Sequence, residues 1–132
     1  MAEFNIPVPG TICWRELATK DLEKAADFYR QMFGWNIEQS KVTPMAYREI
    51  HVDGNARGGM MQIDENWPPN VPSHWQSYVA VTNADETCEK IKAEGGTVMH
   101  GPFDAPNIGR MAMCQDPSGA AFAIIQFTAP AM

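Results

Sequence analysis

The sequence predicts an α+β fold in which a strand, helix, strand, strand, strand unit is written twice. Two observations predict it. Asp21-Leu22-Glu23-Lys24-Ala25-Ala26-Asp27-Phe28-Tyr29 reads as a capped amphipathic helix stopping at Gly34, and Asn83-Ala84-Asp85-Glu86-Thr87-Cys88-Glu89-Lys90-Ile91 reads as a second one stopping at Gly96, with the same offset of 62 residues at both ends. Leu22, Ala25, Ala26 and Tyr29 share one helical face, and Ala84, Thr87, Cys88 and Ile91 fall at the matching places of the second helix. A repeated supersecondary unit follows. At 132 residues the chain has room for one domain, so both units belong to it.

Taken in order, Pro7, Pro9 and Gly10 suit an irregular lead-in. Thr11 to Ala18 reads as a strand, and Thr19-Lys20-Asp21 turns the chain with Asp21 or Thr19 as helix cap. The helix runs to Phe33, and Trp35-Asn36-Ile37-Glu38 returns to extended structure. Met45 to Val52 and Ala56 to Ile63 form a hairpin about the Asp53-Gly54 turn. Gly58-Gly59 inside its second arm predicts a bulge or a place where something approaches the backbone closely. The first module thus spans about residues 11–63. A proline-rich connector, 64–73, leads to the second module, about 74–128. There His74 to Val81 is a strand, Asn83 to Glu94 a helix and Thr97 to Phe103 a strand. Pro102 and Pro106 bracket a loop, Ile108 to Gln115 is a strand, Asp116-Pro117-Ser118-Gly119 a turn, and Ala120 to Phe127 the last strand.

Composition excludes several classes of function. A hydrophobic fraction of 45% and a charged fraction of 20% are those of an ordinary globular protein. The formal net charge of −6, with no clustered Lys and Arg, argues against nucleic acid as partner. No apolar run approaches the roughly 20 residues that span a bilayer, and the N-terminus lacks the basic and apolar regions of a signal peptide, so the expectation is a cytoplasmic protein without a membrane partner. Cys13, Cys88 and Cys114 form no Cys-x-x-Cys pair and read as buried thiols in a reducing compartment.

The strand before Asp21–Tyr29, Phe33-Gly34-Trp35, Glu94-Gly95-Gly96 and Asp116-Pro117-Ser118-Gly119, in this order and spacing, resemble the vicinal oxygen chelate superfamily of glyoxalases, bleomycin-resistance proteins and extradiol dioxygenases. Cys13-Trp14-Arg15-Glu16-Leu17, Gly58-Gly59-Met60-Met61, His74-Trp75 and Gly109-Arg110-Met111-Ala112 are similar to a bacterial branch named glyoxalase-like or hydroxylase-like. The resemblance implies two tandem βαβββ modules forming a cupped mixed sheet with helices outside and a ligand cleft inside, often completed by dimerisation. A homodimer is therefore expected.

Catalytic members of that superfamily hold a divalent metal with His, Glu or Gln on the first and last strands of each module. Carried over onto this chain, those positions hold Trp14, Gln76, Ala123 and a residue in the Met60 to Gln62 stretch. Indole nitrogen has no lone pair to give and alanine has no donor, so the set falls short of the usual three protein ligands. His51, His74 and His100 lie on different segments without metal-ligand spacing. No metal and no other cofactor is expected.

Strand alternation then places Glu16 on the same face as Trp14, and Tyr78 on the same face as Gln76. Trp14, Glu16, Gln76 and Tyr78 are the central candidates, joined by Tyr47, Met60, Met61, Arg110, Met111 and Met113. Together they suit a mostly apolar pocket with a few polar handles. Glu16 is the candidate acid or base, or else half of a buried ion pair with Arg110, the reading favoured here. His74 reads as a strand-edge residue. Three functions compete: a metal-independent protein that sequesters or acts on a small, partly apolar organic molecule; a metal-dependent glyoxalase-type isomerase or extradiol dioxygenase; and a structural or interaction protein whose cup is filled by side chains or a partner. Gly-x-Ser-x-Gly, a P-loop and a dinucleotide fingerprint are absent from the sequence.

Overall fold

A computed structural model of the chain describes residues 6–43 and 46–128. Its elements are β1 (Ile12–Thr19), α1 (Leu22–Phe33), β2 (Asn36–Gln39), β3 (Tyr47–Val52), β4 (Asn55–Gln62), β5 (His74–Ala80), α2 (Ala84–Ala93), β6 (Thr97–Ala105), β7 (Gly109–Gln115) and β8 (Ala121–Phe127). The expected order of strand, helix and three strands therefore occurs twice, in an α+β fold that mixes parallel and antiparallel pairing. Met45, expected to open the hairpin, lies outside the described residues, and β3 begins at Tyr47.

Two compact units emerge. One comprises residues 14–76; the other comprises the residues up to 13 together with those from 77 onward. In the first unit the strand order is β2-β3-β4-β1, with β4 parallel to β1 and the other neighbours antiparallel. In the second it is β5-β8-β7-β6, with β5 parallel to β8.

The helices begin where side chains can satisfy their first amides. Asp21 caps α1 by accepting from Lys24 N at 3.1 Å, and Thr19 Oγ1 accepts from Asp21 N at 3.2 Å. Asn83 caps α2 by accepting from Glu86 N at 3.0 Å. In both units a glutamine at the end of a strand adds a second tie: Gln62 Oε1 accepts from Leu22 N at 3.0 Å, and Gln126 Oε1 accepts from Ala84 N at 2.8 Å. Gly34, at φ 67°, closes α1 in the left-handed conformation that costs glycine little.

Each helix buries its apolar stripe on one face of its own unit's strands. In the first unit Leu17, Leu22, Ala26, Ile37, Ile50 and Met60 form the core, with Ala25, Tyr29 and Trp35 packed around it. Fully burying each large aliphatic among them contributes about 1.5–3 kcal/mol before entropy is counted. In the second unit the core is Ala84, Cys88, Ala112, Cys114 and Ile124. Cys88 and Cys114 are buried as expected, whereas Cys13 is only half-buried, and all three are free thiols.

One expected loop is a strand. β6 continues through Pro102 to Ala105, with register shifts between Val98 and His100 and between His100 and Phe103. β6 stands at the end of its unit's strand order, where a proline without an N–H interrupts fewer ladder bonds.

Candidate functional site

The face of the first unit turned away from α1 carries polar side chains. The register pairs Glu16 with Gly59 and Ala18 with Met61 between β1 and β4, and Tyr47 with Met61 and Glu49 with Gly59 between β3 and β4. Paired residues share a face, so Glu16, Tyr47, Glu49, Gly59 and Met61 lie together on one side. Leu17 and Met60 lie on the other, in the core under α1. This corrects the expectation for Met60, which packs under the helix and not beside Glu16. Glu16 is 0% exposed, Gln76 4% and Tyr47 9%, an unusual concentration of polar groups away from water.

A chain of hydrogen bonds links them. Trp14 Nε1 donates to Tyr47 Oη at 2.7 Å. Burial pushes the Tyr47 hydroxyl well above its ordinary pKa, and the charge of Glu16 adds to the shift, so Tyr47 is a neutral phenol aimed at a carboxylate. Gln76 Nε2 donates to Glu16 Oε2 at 3.2 Å, and Gln76 Oε1 lies 3.2 Å from His74 Nε2. His74 Nδ1 in turn lies 2.7 Å from the carbonyl oxygen of Pro72, and its ring meets Trp67 edge-on at 6.4 Å. Beside this chain, Glu49 accepts from Ser40 Oγ at 3.0 Å and stands 3.0 Å from His51 Nε2.

Gly58-Gly59 has both of the expected meanings. The hairpin register shifts between Ile50 and His51, next to Gly58. A Cβ on Gly59 would lie 1.8 Å from Tyr47 Oη, so the phenol reaches its partners by lying over a residue without a side chain. Gly59 and His74 were not among the sequence candidates. The signal for His74 was its place two residues before Gln76, which puts both on one face of a strand.

The expected ion pair between Arg110 and Glu16 is not formed. Arg110 donates to Asp85 through Nε and Nη2 at 3.0 and 3.1 Å, and to Asp104 through Nη1 at 3.0 Å. Its position on β7 has the same parity as Ala112 and Cys114, which pack under α2, so Arg110 faces the helix whose first turn supplies Asp85. The remaining candidates, Tyr78, Met111 and Met113, are buried in the second unit, where Tyr78 Oη donates to Met113 Sδ at 3.9 Å.

The side chains at the family's metal positions do not fit a metal ion. Trp14 spends its N–H on Tyr47. Gln62 is committed to the start of α1, its Nε2 donating to the carbonyls of Lys20 and Ile63 at 2.7 and 3.1 Å while Oε1 holds Leu22 N. Register also relocates the fourth position: Ala123 pairs with Tyr78 as Gly59 pairs with Glu16, so its counterpart on β4 is Gly59, which has no donor. Gln76 alone of the four offers an oxygen, and that oxygen faces His74. Among the described residues no group of three or more His, Cys, Asp or Glu side chains is placed to hold a metal ion.

Comparison with known proteins agrees with this architecture. A family model for the Glyoxalase/Bleomycin resistance protein/Dioxygenase superfamily matches residues 11–124. "Putative glyoxylase CFP32" of Mycobacterium tuberculosis is 36% identical over 118 residues, covering 89% of this chain and 44% of that protein. "Anthracycline biosynthesis protein DauV" of Streptomyces sp. is 35% identical over 128 residues, covering 88% of this chain and 46% of that protein. The chain therefore spans less than half the length of these relatives. Among solved structures, methylmalonyl-CoA epimerase from Mycobacterium tuberculosis aligns with a TM-score of 0.55 at 15% identity, over 98% of this chain and 94% of that one. A variant of the Streptomyces coelicolor methylmalonyl-CoA epimerase, in complex with 2-nitronate-propionyl-CoA, aligns with a TM-score of 0.56 at 16% identity, over 92% and 100%. With two matched βαβββ repeats and a family match across most of its length, the chain belongs to the glyoxalase/bleomycin resistance protein/dioxygenase superfamily.

Proposed function

We propose that the chain binds a small, partly apolar organic molecule against the face that carries Trp14, Tyr47, Met61 and Gln76, and that Glu16 gives a proton to it or takes one from it without a metal ion. The observation that carries this reading is a fully buried carboxylate that accepts a hydrogen bond from Gln76 and faces the Tyr47 phenol. Burying a charge is expensive, and a fold with no use for it would be served as well by an apolar residue. A carboxylate in such a place is suited to proton exchange with a C–H or O–H of a bound molecule, and neutral Tyr47 can donate to a developing negative charge.

The relatives' names fit a small-molecule role: one is named for anthracycline biosynthesis and another for glyoxylase activity. A metal-dependent glyoxalase or dioxygenase is the competing reading, and the donor set counts against it.

The test is a ligand screen that includes aromatic polyketides and acyl-CoA esters, run on metal-stripped protein and followed by thermal midpoint. Binding should survive a chelator, fall at least tenfold in Trp14→Ala, and persist in Glu16→Gln while solvent deuterium exchange into the ligand is lost. Near-stoichiometric Ni²⁺, Zn²⁺, Mn²⁺ or Fe²⁺ that raises the midpoint and is required for binding would overturn the reading.

A further inference from the structure

We propose that the outer flank of α1, with Trp35 and Trp75 beside it, is an interface at which two copies of this chain pair. The inference goes beyond the ligand site and does not depend on it, because α1 covers the face of the strands opposite to the one that carries Glu16.

The first helix is more apolar than its own packing requires. Leu22 and Ala26 are buried against the strands, and one such stripe is what a helix on a sheet needs. Yet Phe28 is 54% exposed, Met32 56% and Phe33 62%, and Trp75 of β5 is 43% exposed. The repeat shows what the scaffold accepts at these places. One offset of 62 residues later, exposed Lys90, Glu94 and Gly95 stand where the first unit has Phe28, Met32 and Phe33. Polar or small residues therefore satisfy the same local fold, and the apolar ones of the first unit answer to something outside it.

The rings form one continuous surface. Tyr29 lies at its centre, with ring centroids 5.1 Å from Phe28, 6.2 Å from Phe33, 5.3 Å from Trp35 and 5.5 Å from Trp75. Its hydroxyl accepts from Trp75 Nε1 at 3.1 Å, so the one donor of that indole is satisfied. Met32 follows Phe28 by one helical turn and extends the surface along α1. Side chains that already hold one another lose little freedom when covered, and Trp and Tyr are the residues that carry most energy in interfaces.

Area points to the occupant. A large side chain presents roughly 200 Å², so the four half-open ones, Phe28, Met32, Phe33 and Trp75, leave on the order of 400 Å² of apolar surface. A standard interface buries about 800 Å² on each partner, a little more than half of it apolar. The patch supplies nearly that whole apolar share when it meets an equal one, and a two-fold axis provides the equal one automatically. A small molecule takes a concave pocket, and an extended peptide takes a groove or a strand edge; the flank of a helix is neither. The patch itself carries no charge, and beside it Asp27 and Arg30 pair with each other at 3.1 Å, so nothing there selects an acidic or a basic partner. Each copy has a formal net charge of −6, so salt should relieve their repulsion and leave the apolar contact intact.

The test is sedimentation velocity from about 1 to 100 µM protein at low and high salt. Wild type should be dimeric at the upper end and should associate at least about twofold more tightly in 500 mM than in 20 mM salt. Phe28→Lys with Met32→Glu, the residues that the second unit carries at the matching places, should weaken association by about a hundredfold or more with unchanged circular dichroism. Val8→Lys, at an exposed apolar residue of the other unit, should leave association as it is. Wild-type protein labelled with 5-fluorotryptophan decides the face even if a variant fails to fold: on dilution the Trp75 resonance should move and that of buried Trp67 should not. A monomer at the highest concentration, a dimer of undiminished affinity in the double variant, or a dimer whose dilution leaves Trp75 unmoved would overturn the proposal. A monomer whose Trp75 resonance responds instead to the acyl-CoA esters or polyketides of the ligand screen would overturn it in favour of a small-molecule surface.

Discussion

Replacing Gly59 by alanine is a single-methyl perturbation that bears on the whole polar chain. Gly59 does not use the left-handed conformation, so its backbone accepts alanine without strain, and the loss of glycine's freedom in the unfolded chain would by itself stabilise by about 0.4–1 kcal/mol. Against this, the added Cβ would lie 1.8 Å from Tyr47 Oη, 2.3 Å from Cζ and 2.8 Å from Cε2. No rotation about the hydroxyl relieves that overlap, because the ring itself is in the way. Forcing a buried ring aside costs about 1–3 kcal/mol, and leaving the Trp14 indole N–H without its acceptor costs at least another 1 kcal/mol or so. The sum is a net loss of about 1–3.5 kcal/mol, equivalent to a fall of roughly 5–15 °C in the midpoint for a chain of this size. Urea unfolding of wild type, Gly59→Ala, Tyr47→Ala and the double variant measures it as a cycle. The alanine should cost no more than about 0.5 kcal/mol once the ring is absent. A neutral Gly59→Ala, or an equal cost in both backgrounds, would refute the reasoning that this glycine exists to seat the phenol.

Three further outcomes follow from other contacts. Gln62→Ala removes three hydrogen bonds at the start of α1 and should lower stability by about 1–3 kcal/mol in chemical unfolding, while leaving the response to added divalent ions unchanged. Cys114 is pushed up to about 12 by burial first and by Cys88 second, so the folded thiol stays neutral where the unfolded one ionises. Its contribution is fully present below pH 9 and is lost as pH rises towards 12, so unfolding free energy should fall across that window more steeply in wild type than in Cys114→Ala, and thiol reagents should reach Cys114 at the unfolding rate. Arg110→Met breaks exposed pairs with Asp85 and Asp104. It should give a small loss of stability that shrinks in high salt and no change in ligand binding, as calorimetry at two ionic strengths would show.

The secondary structure was legible because its signals are local. Asp21 and Asn83 cap the helices through amides three residues away, and Gly34 supplies a backbone angle that other residues resist. The face of a strand residue is a harder inference, because a shift of one position exchanges the two sides. Gly58-Gly59-Met60-Met61 has no apolar and polar alternation to set its phase, so Met60 and Met61 looked alike, yet one packs under α1 and the other pairs with Tyr47. Arg110 was misassigned for a related reason. Glu16 was one acid within its expected reach, while its actual partners, Asp85 and Asp104, stand 25 and 6 residues away, and only the strand register shows which side of β7 they share. The union of Trp14, Tyr47, Glu16, Gln76 and His74 draws on three strands, and no spacing within one segment could reveal it.

The repeat also bears on where the proposed chemistry would lie. Positions that build the scaffold recur in both units: Asp21 and Asn83 cap, and Gln62 and Gln126 tie strand to helix through the same amide. Positions that could do chemistry do not recur. Trp14 matches Gln76, and Glu16 matches Tyr78, whose hydroxyl donates to the Met113 thioether. Duplication fixes caps and turns in both units because either helix would fray without them, whereas a buried carboxylate is costly and is tolerated where partners compensate it. The first unit assembles those partners by giving up side-chain volume at Gly59 and by lending His74 and Gln76 from the start of β5. Departure from the repeat, more than any single motif, is what marks Glu16 as the residue whose removal should cost function before it costs the fold.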